Sequence, residues 1–256
     1  MEALLETRQL TKQFGGITAN KSINLTVKAG TTTGLIGPNG SGKTTLINQV
    51  SGQIPATSGR TFFKGQDITE QDANKIARAG IGRTFQRIRL FERLTVVENV
   101  LVARRHHFSV NLLDIVLNTG RNRREERQQL EYAMALLKRF KLESQAGVLP
   151  NSLPYGKRRA LEIARALALE PELLLLDEPA AGMAKEEYAD IMHIMEQLKE
   201  QGITMLLVEH TMEFIRRVVD WVYVLNFGEV ISQGVFTDVE QDESVIKAYL
   251  GGDETL

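Results

Sequence analysis

The sequence predicts an α/β fold in which a parallel sheet is covered by helices on both faces, with antiparallel strands ahead of it and a helical insertion within it. Three observations lead there. The runs TTTGLIG, ELLLLDEP and ITMLLVEH are largely apolar, too short for helices, and bounded by Gly, Pro or polar residues, as strands buried on both faces are. KRRALEIARALA and KEEYADIMHIMEQLKEQG, which precede the second and third runs, carry apolar residues at helical spacing, and strands joined by helices run parallel. From about Leu90 to Leu142 the helical spacing persists with almost no strand signal, which sets that stretch apart as the insertion.

The elements follow in order. LLETRQL and SINLTVKAG alternate apolar and polar positions and break at Gly15–Gly16 and Gly30, which predicts antiparallel strands. TTTGLIG is a short buried strand, and GPNGSGKTTLINQVSG is a glycine-rich turn running into a helix. ENVLVARR and RREERQQLEYAMALLKRF supply helices of the insertion. LPYGKRR, Leu153 to Arg159, is locally a Pro-Tyr-Gly turn that starts the helix before ELLLLDEP. After ITMLLVEH come a helix, MEFIRRVVD, and a strand pair, WVYVLNFGEVISQG; the GGDETL end is expected to fray.

At 256 residues and 43% apolar, the chain can bury one large core or two small ones. A formal net charge of −1 offers no global field for nucleic acid or an anionic membrane, so nucleic acid is not an expected partner. With no cysteine, disulfides and thiolate metal sites are excluded, which suits a reducing compartment. MEALLETRQLTKQF has acids where an export signal has a basic end and a long apolar run. No apolar window approaches the ~20 residues that span a bilayer; the nearest, VNLLDIVL from Val110, is short and carries Asp114. A soluble chain is expected.

GPNGSGKT, Gly37 to Thr44, matches G-x-x-x-x-G-K-[ST] after a strand and before a helix, the context that gives the pattern its meaning. Gly37, Gly40 and Gly42, with Pro38, Asn39 and Ser41 among them, let the backbone curl so that N–H groups and a helix N-terminus meet phosphates. Lys43 adds a positive charge for the β- and γ-phosphates, the Thr44 hydroxyl suits Mg²⁺, and Thr45 extends the nucleotide-binding set. ATP with Mg²⁺ is the expected ligand. LLLLDEP ends a buried strand with Asp177 and Glu178, at the carboxyl edge where open α/β sheets bind ligands. Asp177 suits the Mg²⁺ shell, and Glu178 suits accepting a proton from the attacking water or orienting it. Two more polar residues lie at strand ends. Gln86 in GRTFQ offers an amide to the metal or the water, and His210 in LLVEH a donor to the γ-phosphate as charge develops. Phe14, near the first glycine pair, is either a stacking platform for adenine or a core aromatic. His106, His107 and His193 lack the company of a metal site and read as surface residues.

Taken in order, GPNGSGKT, Gln86, LPYGKRR, LLLLDEP and His210 resemble the motifs of the ATP-binding subunits of ABC transporters, and the resemblance covers essentially the whole chain. It implies a P-loop NTPase, an ABC ATPase, formed as a single nucleotide-binding domain. A recA-like parallel-sheet core and an N-terminal antiparallel β subdomain would occupy about residues 1–86 and 158–256, and a helical subdomain with the signature motif about 87–157. Two such subunits pair head to tail and sandwich two ATPs, so that the signature of one faces the phosphate loop of the other. Leu153, Pro154, Tyr155, Gly156 and Lys157 fill the signature position, usually LSGGQ, with the helix beginning at Lys157. Pro154 stands where Ser is usual, so that hydroxyl contact is absent; Tyr155 and Lys157 replace Gly and Gln. In the D-loop, AAGMA, Ala184 stands where Asp or Asn is usual.

FGGITA, IGPNGSGKTTLINQVSG, IARAGIGRTFQRIRLFERLTVVENVLVA, LEIARALALEPELLLLDEPAAGM and VIKAYLGG look like the branched-chain amino-acid importer branch, in its subunit with the longer helical insertion. Related subunits serving urea or amides look similar. The implied partners are a second ATP-binding subunit, copy or paralogue, transmembrane permease subunits and, indirectly, an external solute-binding protein. That implies a cytoplasmic chain, peripheral on the inner face of the cell membrane. RIRLFERLTVVENVLVA is apolar enough to line a groove for a coupling helix of the permease. A DNA-repair or chromosome-type ATPase with these motifs would need a long coiled-coil insertion, which is missing, and RNRREER, interleaved with acids, reads as a solvated helix face. Pro154 and Ala184 keep a third reading open, a regulatory module that binds nucleotide without hydrolysing it.

Overall fold

The computed structural model describes residues 2–107 and 120–250. VNLLDIVL with Asp114 and the GGDETL end lie outside the described residues, as do the side chains of His106 and His107. The chain divides into two compact units: Met1–Arg83, Glu172–Pro179 and Met195–Leu256 form the first, Thr84–Pro171 and Ala180–Ile194 the second.

The first unit opens with β1 (Ala3–Phe14) and β2 (Ile17–Lys28), paired antiparallel across the Gly15–Gly16 turn. Leu5, Thr7 and Leu10 of β1 and Ile23, Leu25 and Val27 of β2 are buried. The register shifts between Thr7 and Leu10, where Gln9 takes a left-handed φ of 50°, and Ser22 on β2 does the same. Their amides are not wasted: Gln9 N–H donates to Asn24 Oδ1 and Ser22 N–H to Thr11 Oγ1. Next come β3 (Thr32–Ile36), α1 (Lys43–Val50), β4 (Ser58–Phe63), β5 (Gln66–Asp67), α2 (Ala73–Arg78) and β6 (Ile81–Arg83). β4 and β5 complete a four-stranded sheet of order β2-β1-β4-β5.

The second unit holds α3 (Val96–Ala103), α4 (Gly120–Arg139) and α5 (Tyr155–Leu167), with short 3-10 turns between them. α3 starts at a reciprocal capping box of Thr95 and Glu98. RIRLFERL before it is loop, although helical spacing is expected from about Leu90. Buried Asn99 holds that loop, donating to the Phe91, Leu94 and Thr95 carbonyls and accepting the Phe91 N–H. Buried Arg104 joins α3 to its neighbours, donating to Gln129 and Glu170 with its guanidinium 3.6 Å from the Tyr132 ring centroid.

The chain returns through β7 (Leu173–Asp177) and α6 (Lys185–Glu200), whose residues are shared between the units. β8 (Thr204–Val208), α7 (Met212–Val218), β9 (Trp221–Asn226), β10 (Glu229–Gly234), α8 (Phe236–Val239) and α9 (Glu243–Leu250) follow. The second sheet has six strands in the order β10-β9-β3-β8-β7-β6, parallel except for β10 at one edge. β3, β7 and β8 are buried along their whole length, which is why they read as unbroken apolar runs. A single core containing Leu5, Leu25, Leu35, Ile47, Leu175 and Leu206 unites both sheets of this unit with α1.

Candidate functional site

β3 ends at Ile36, and the chain turns through Gly37–Gly42 straight into α1. Two positions of that turn admit glycine alone. Gly37 has a φ of 145°, and a Cβ on it would stand 2.0 Å from the Leu225 carbonyl oxygen; Gly42 has a φ of 104° and its Cβ would stand 2.4 Å from the Ala19 carbonyl oxygen. The loop is thus seated against β9 and β2, and bonds from Gly228 N–H to Ser41 O (3.0 Å) and Asn20 Nδ2 to Gly42 O (3.1 Å) hold it there. Gly42 is the N-cap of α1 and no side chain caps the helix, so its leading N–H groups suit an anion. Lys43 Nζ folds back to donate to the Gly37 and Pro38 carbonyls, each at 2.8 Å. Asn39, Gly40 and Thr44 are exposed, Pro38 and Thr45 half-buried, and Ser41 buried. Burial pushes the Lys43 ammonium below the ordinary lysine range, while the charges of Glu178 and Asp177 pull it back up.

The sheet explains that encounter. β8 lies between β3 and β7, with Leu35 opposite Val208 and Val208 opposite Asp177. Three adjacent strands therefore deliver the phosphate loop, His210 and the Asp177–Glu178 pair to one carboxyl edge. Asp177 is buried, with Arg83 Nη2 3.8 Å from its Oδ2. Arg83 also donates to Ser51 Oγ (2.5 Å) and Asn48 Oδ1 (2.7 Å), tying the strand end to the last turn of α1. Glu178 leaves the strand with a left-handed φ of 50°, its N–H donating to the Val208 carbonyl at 3.0 Å. A non-glycine residue held in that conformation is a strained one, and such residues gather at functional sites. His210 is exposed; its N–H and that of Thr211 donate to Oε2 of buried Glu209 at 3.0 and 3.4 Å. Phe14 is half exposed at the end of β1, with Lys12 Nζ 5.0 Å from its ring centroid, so it is not a core aromatic. His193 is exposed on α6, as expected.

Leu153–Lys157 and Gln86 belong to the second unit. α5 starts at Tyr155, not at the expected Lys157: Pro154 is its N-cap and the Pro154 carbonyl accepts the Arg158 N–H at 3.0 Å. Tyr155, Gly156 and Lys157 are thus the first helical turn itself. Leu153 and Gly156 are buried, Pro154 and Tyr155 exposed, and Lys157 Nζ donates to Gln145 Oε1 at 2.9 Å. Gln86 is exposed, three residues past the end of β6. Its neighbours are fixed by α5. Glu162 Oε1 accepts the Phe85 and Arg89 N–H groups at 3.3 and 3.2 Å, and Arg159 donates to the Phe85 carbonyl and, at 2.6 Å, to Glu162 Oε2. Both side chains of that ion pair are fully buried. Arg83, Arg159, Glu162 and Glu209 are organising residues that the sequence motifs do not mark. The one local signal was the pair of opposite charges at i and i+3 on α5.

Oxygen donors at the strand-end edge, the Thr44 hydroxyl and the Asp177 carboxylate, have the chemistry that a hard cation such as Mg²⁺ takes. Among the described residues no cluster of His, Cys, Asp or Glu offers an alternative metal site. Residues 20–181 match the family model described as ABC transporter. The high-affinity branched-chain amino acid transport ATP-binding protein BraF of Pseudomonas aeruginosa is 40% identical over 249 residues, 97% of this chain and 98% of the relative. The chain belongs to the ABC transporter family. The Escherichia coli protein LivG, described in the same words, is 37% identical to this ABC cassette over 251 residues, 98% of each. The ADP conformation of MJ1267, an ATP-binding cassette of an ABC transporter, superposes with a TM-score of 0.82 at 31% identity, covering 98% of this cassette and 100% of that one. The cassette MJ0796, solved as a dimer in a post-hydrolysis state bound to ADP and Pi, gives 0.77 at 27% identity over 90% and 98%. The cassette is an ATP-binding ABC ATPase of the kind that pairs and works with membrane subunits. No helix among its described residues is long and apolar enough to cross a membrane itself.

Proposed function

We propose that this cassette binds Mg²⁺-ATP on Gly37–Thr45, pairs head to tail with a second ATP-binding subunit, and hydrolyses ATP to drive an importer of branched-chain amino acids. The observation that supports the hydrolytic part is the sheet register, Leu35 opposite Val208 and Val208 opposite Asp177, which brings the phosphate loop, His210 and the Asp177–Glu178 pair to one carboxyl edge. Loop amides, the α1 N-terminus and Lys43 hold the β- and γ-phosphates. Thr44 and Asp177 would hold Mg²⁺, which when bound would neutralise charge on the phosphate oxygens, and Gln86 offers an amide for the metal or the attacking water. Glu178 takes the proton of the attacking water or orients it, and His210 donates to the γ-phosphate as charge builds. Phe14 stacks on the adenine. The signature of one subunit, Leu153–Lys157, faces the phosphate loop of the other, so closure follows ATP binding and opening follows hydrolysis.

BraF and LivG, by name, serve branched-chain amino-acid transport, and their likeness along nearly the whole chain supports the same solute class here. The remaining partners of this reading are permease subunits, which receive the cassette along RIRLFERLTVVENVLVA on the cytoplasmic face, and an external binding protein; nucleic acid is not among them. Glu178→Gln tests the chemistry: ATP binding persists and turnover falls by at least ~100-fold, whereas near-normal hydrolysis removes Glu178 from its role. Co-purification with permease subunits, followed by ATPase assays with solute-loaded binding proteins, tests the solute. Stimulation by urea or amides without stimulation by leucine, isoleucine or valine would move the cassette to another importer of the same branch.

A further inference from the structure

The N-terminus of α5 is already engaged from within the chain. Glu187, in the first turn of α6, accepts the Gly156 N–H through Oε1 at 3.1 Å and the Ala184 N–H through Oε2 at 3.3 Å. The carboxylate lies so close over Gly156 that a Cβ there would stand 2.3 Å from Glu187 Cδ. Beside it the Tyr155 ring covers Gly182, whose Cβ would be 3.7 Å from Tyr155 Cε1. All of these residues belong to the second unit. One carboxylate therefore ties the signature turn to the 180–184 loop. Pro154 brings neither a hydroxyl nor an N–H to this end of the helix, and Ala184 brings no polar side chain. Beside the Tyr155 hydroxyl and the Lys157 ammonium, backbone N–H groups are what these two segments offer an anion, and Glu187 takes one N–H from each.

We propose that Glu187 sets the affinity of the signature half-site for the ATP of the other subunit. The inference rests on the head-to-tail reading. A single N–H cannot fully serve two anions, and a carboxylate and a γ-phosphate brought to the same helix end repel each other. Closure then exchanges one anion for the other: the phosphate of a second copy of this chain displaces the Glu187 carboxylate from Gly156, and the 180–184 loop is freed from the signature in the same step. ATP binding on one subunit is thereby read by the D-loop of its partner, although Ala184 itself carries no polar group.

The test uses full-length Glu178→Gln chain, in which ATP stays bound, and follows ATP-dependent self-association by sedimentation velocity. Glu187→Gln and Glu187→Ala are added to that background. Glutamine retains an oxygen for the Gly156 N–H but no charge; alanine frees the N–H outright. The expected result is a half-saturating ATP concentration about tenfold lower for both variants, as for loss of one competing charged hydrogen bond. Binding of a fluorescent ATP analogue to the monomer at low protein concentration stays as it was. Damage to the fold would weaken association, so a gain is not what a purely structural role predicts. If alanine does not fold, the glutamine variant decides. Half-saturation that is unchanged or higher overturns the role of Glu187 and leaves the head-to-tail reading intact. ATP binding without any self-association in the Glu178→Gln parent overturns both.

Discussion

Glu162→Gln separates a structural ion pair from an incidental one. The substitution is nearly isosteric, so packing is preserved, and Oε1 can still accept the Phe85 and Arg89 N–H groups. What changes is the other oxygen, which takes a 2.6 Å bond from the Arg159 guanidinium in a site where both side chains are fully buried. An amide there turns N–H groups toward N–H groups and takes the Glu162 charge away from a buried cation. Breaking one side of a buried pair costs about 3–5 kcal/mol, and at ~2–4 °C per kcal/mol for a chain of this size the melting temperature falls by about 6–20 °C. Calorimetry measures the shift, and amide hydrogen exchange places it: Phe85 and Arg89 lose protection before the buried strands do. A Glu162→Gln chain that melts within about 2 °C of the parent, with both amides still protected, would refute the view that this pair holds the Gln86 segment.

Two further outcomes follow from local geometry. Gly37→Ala places a Cβ 2.0 Å from the Leu225 carbonyl oxygen at a φ of 145°, so the loop must leave β9; titration with a fluorescent ATP analogue is expected to show affinity at least ~10-fold weaker. Asp242 is held down to about 2 by the Ser232 hydroxyl first, then by the Ser244 hydroxyl and N–H. Its folded value lies below its unfolded one, so its stabilising contribution is complete above the ordinary aspartate range and is lost as pH falls toward 2. Carboxyl-resonance NMR should find that value, and Ser232→Ala should move it up toward the ordinary one.

The parts of the site that were legible in the sequence are those whose chemistry is local. The loop from Gly37 to Thr44 needs glycines at fixed offsets because backbone must approach backbone, at Leu225 and Ala19, and that requirement appears in the chain as spacing. Asp177 and Glu178 were legible because a strand buried on both faces is an apolar run, and the residues that end it are the ones the sheet edge presents. Helical spacing expected from about Leu90 failed at its start: LFERL is loop ahead of the helix that Thr95 and Glu98 cap, a four-residue pattern that was itself there to be read. It failed again at Lys157, because Pro-Tyr-Gly looks like a turn until Pro154 is seen as the cap of α5.

The residues that stayed hidden share a different cause. Arg159, Glu162, Glu187 and Glu209 are charged groups whose described work is to accept or donate to backbone amides and carbonyls, most of them remote in sequence. A charged residue on a helix reads as solvent-facing, and only the folded chain shows that Glu162 faces Phe85 and Arg89, 77 and 73 positions away. Such carboxylates have no spacing rule, since what they satisfy is a set of amides gathered by the fold. The division has a consequence for variation among cassettes of this family. Glu162 and Glu187 are tied to the amides each accepts, Phe85 and Arg89 for the one, Gly156 and Ala184 for the other. A chain that lacks Ser at the signature and Asp in the D-loop can still couple its two half-sites if a carboxylate outside both motifs bridges them, and Glu187 is placed to be that bridge.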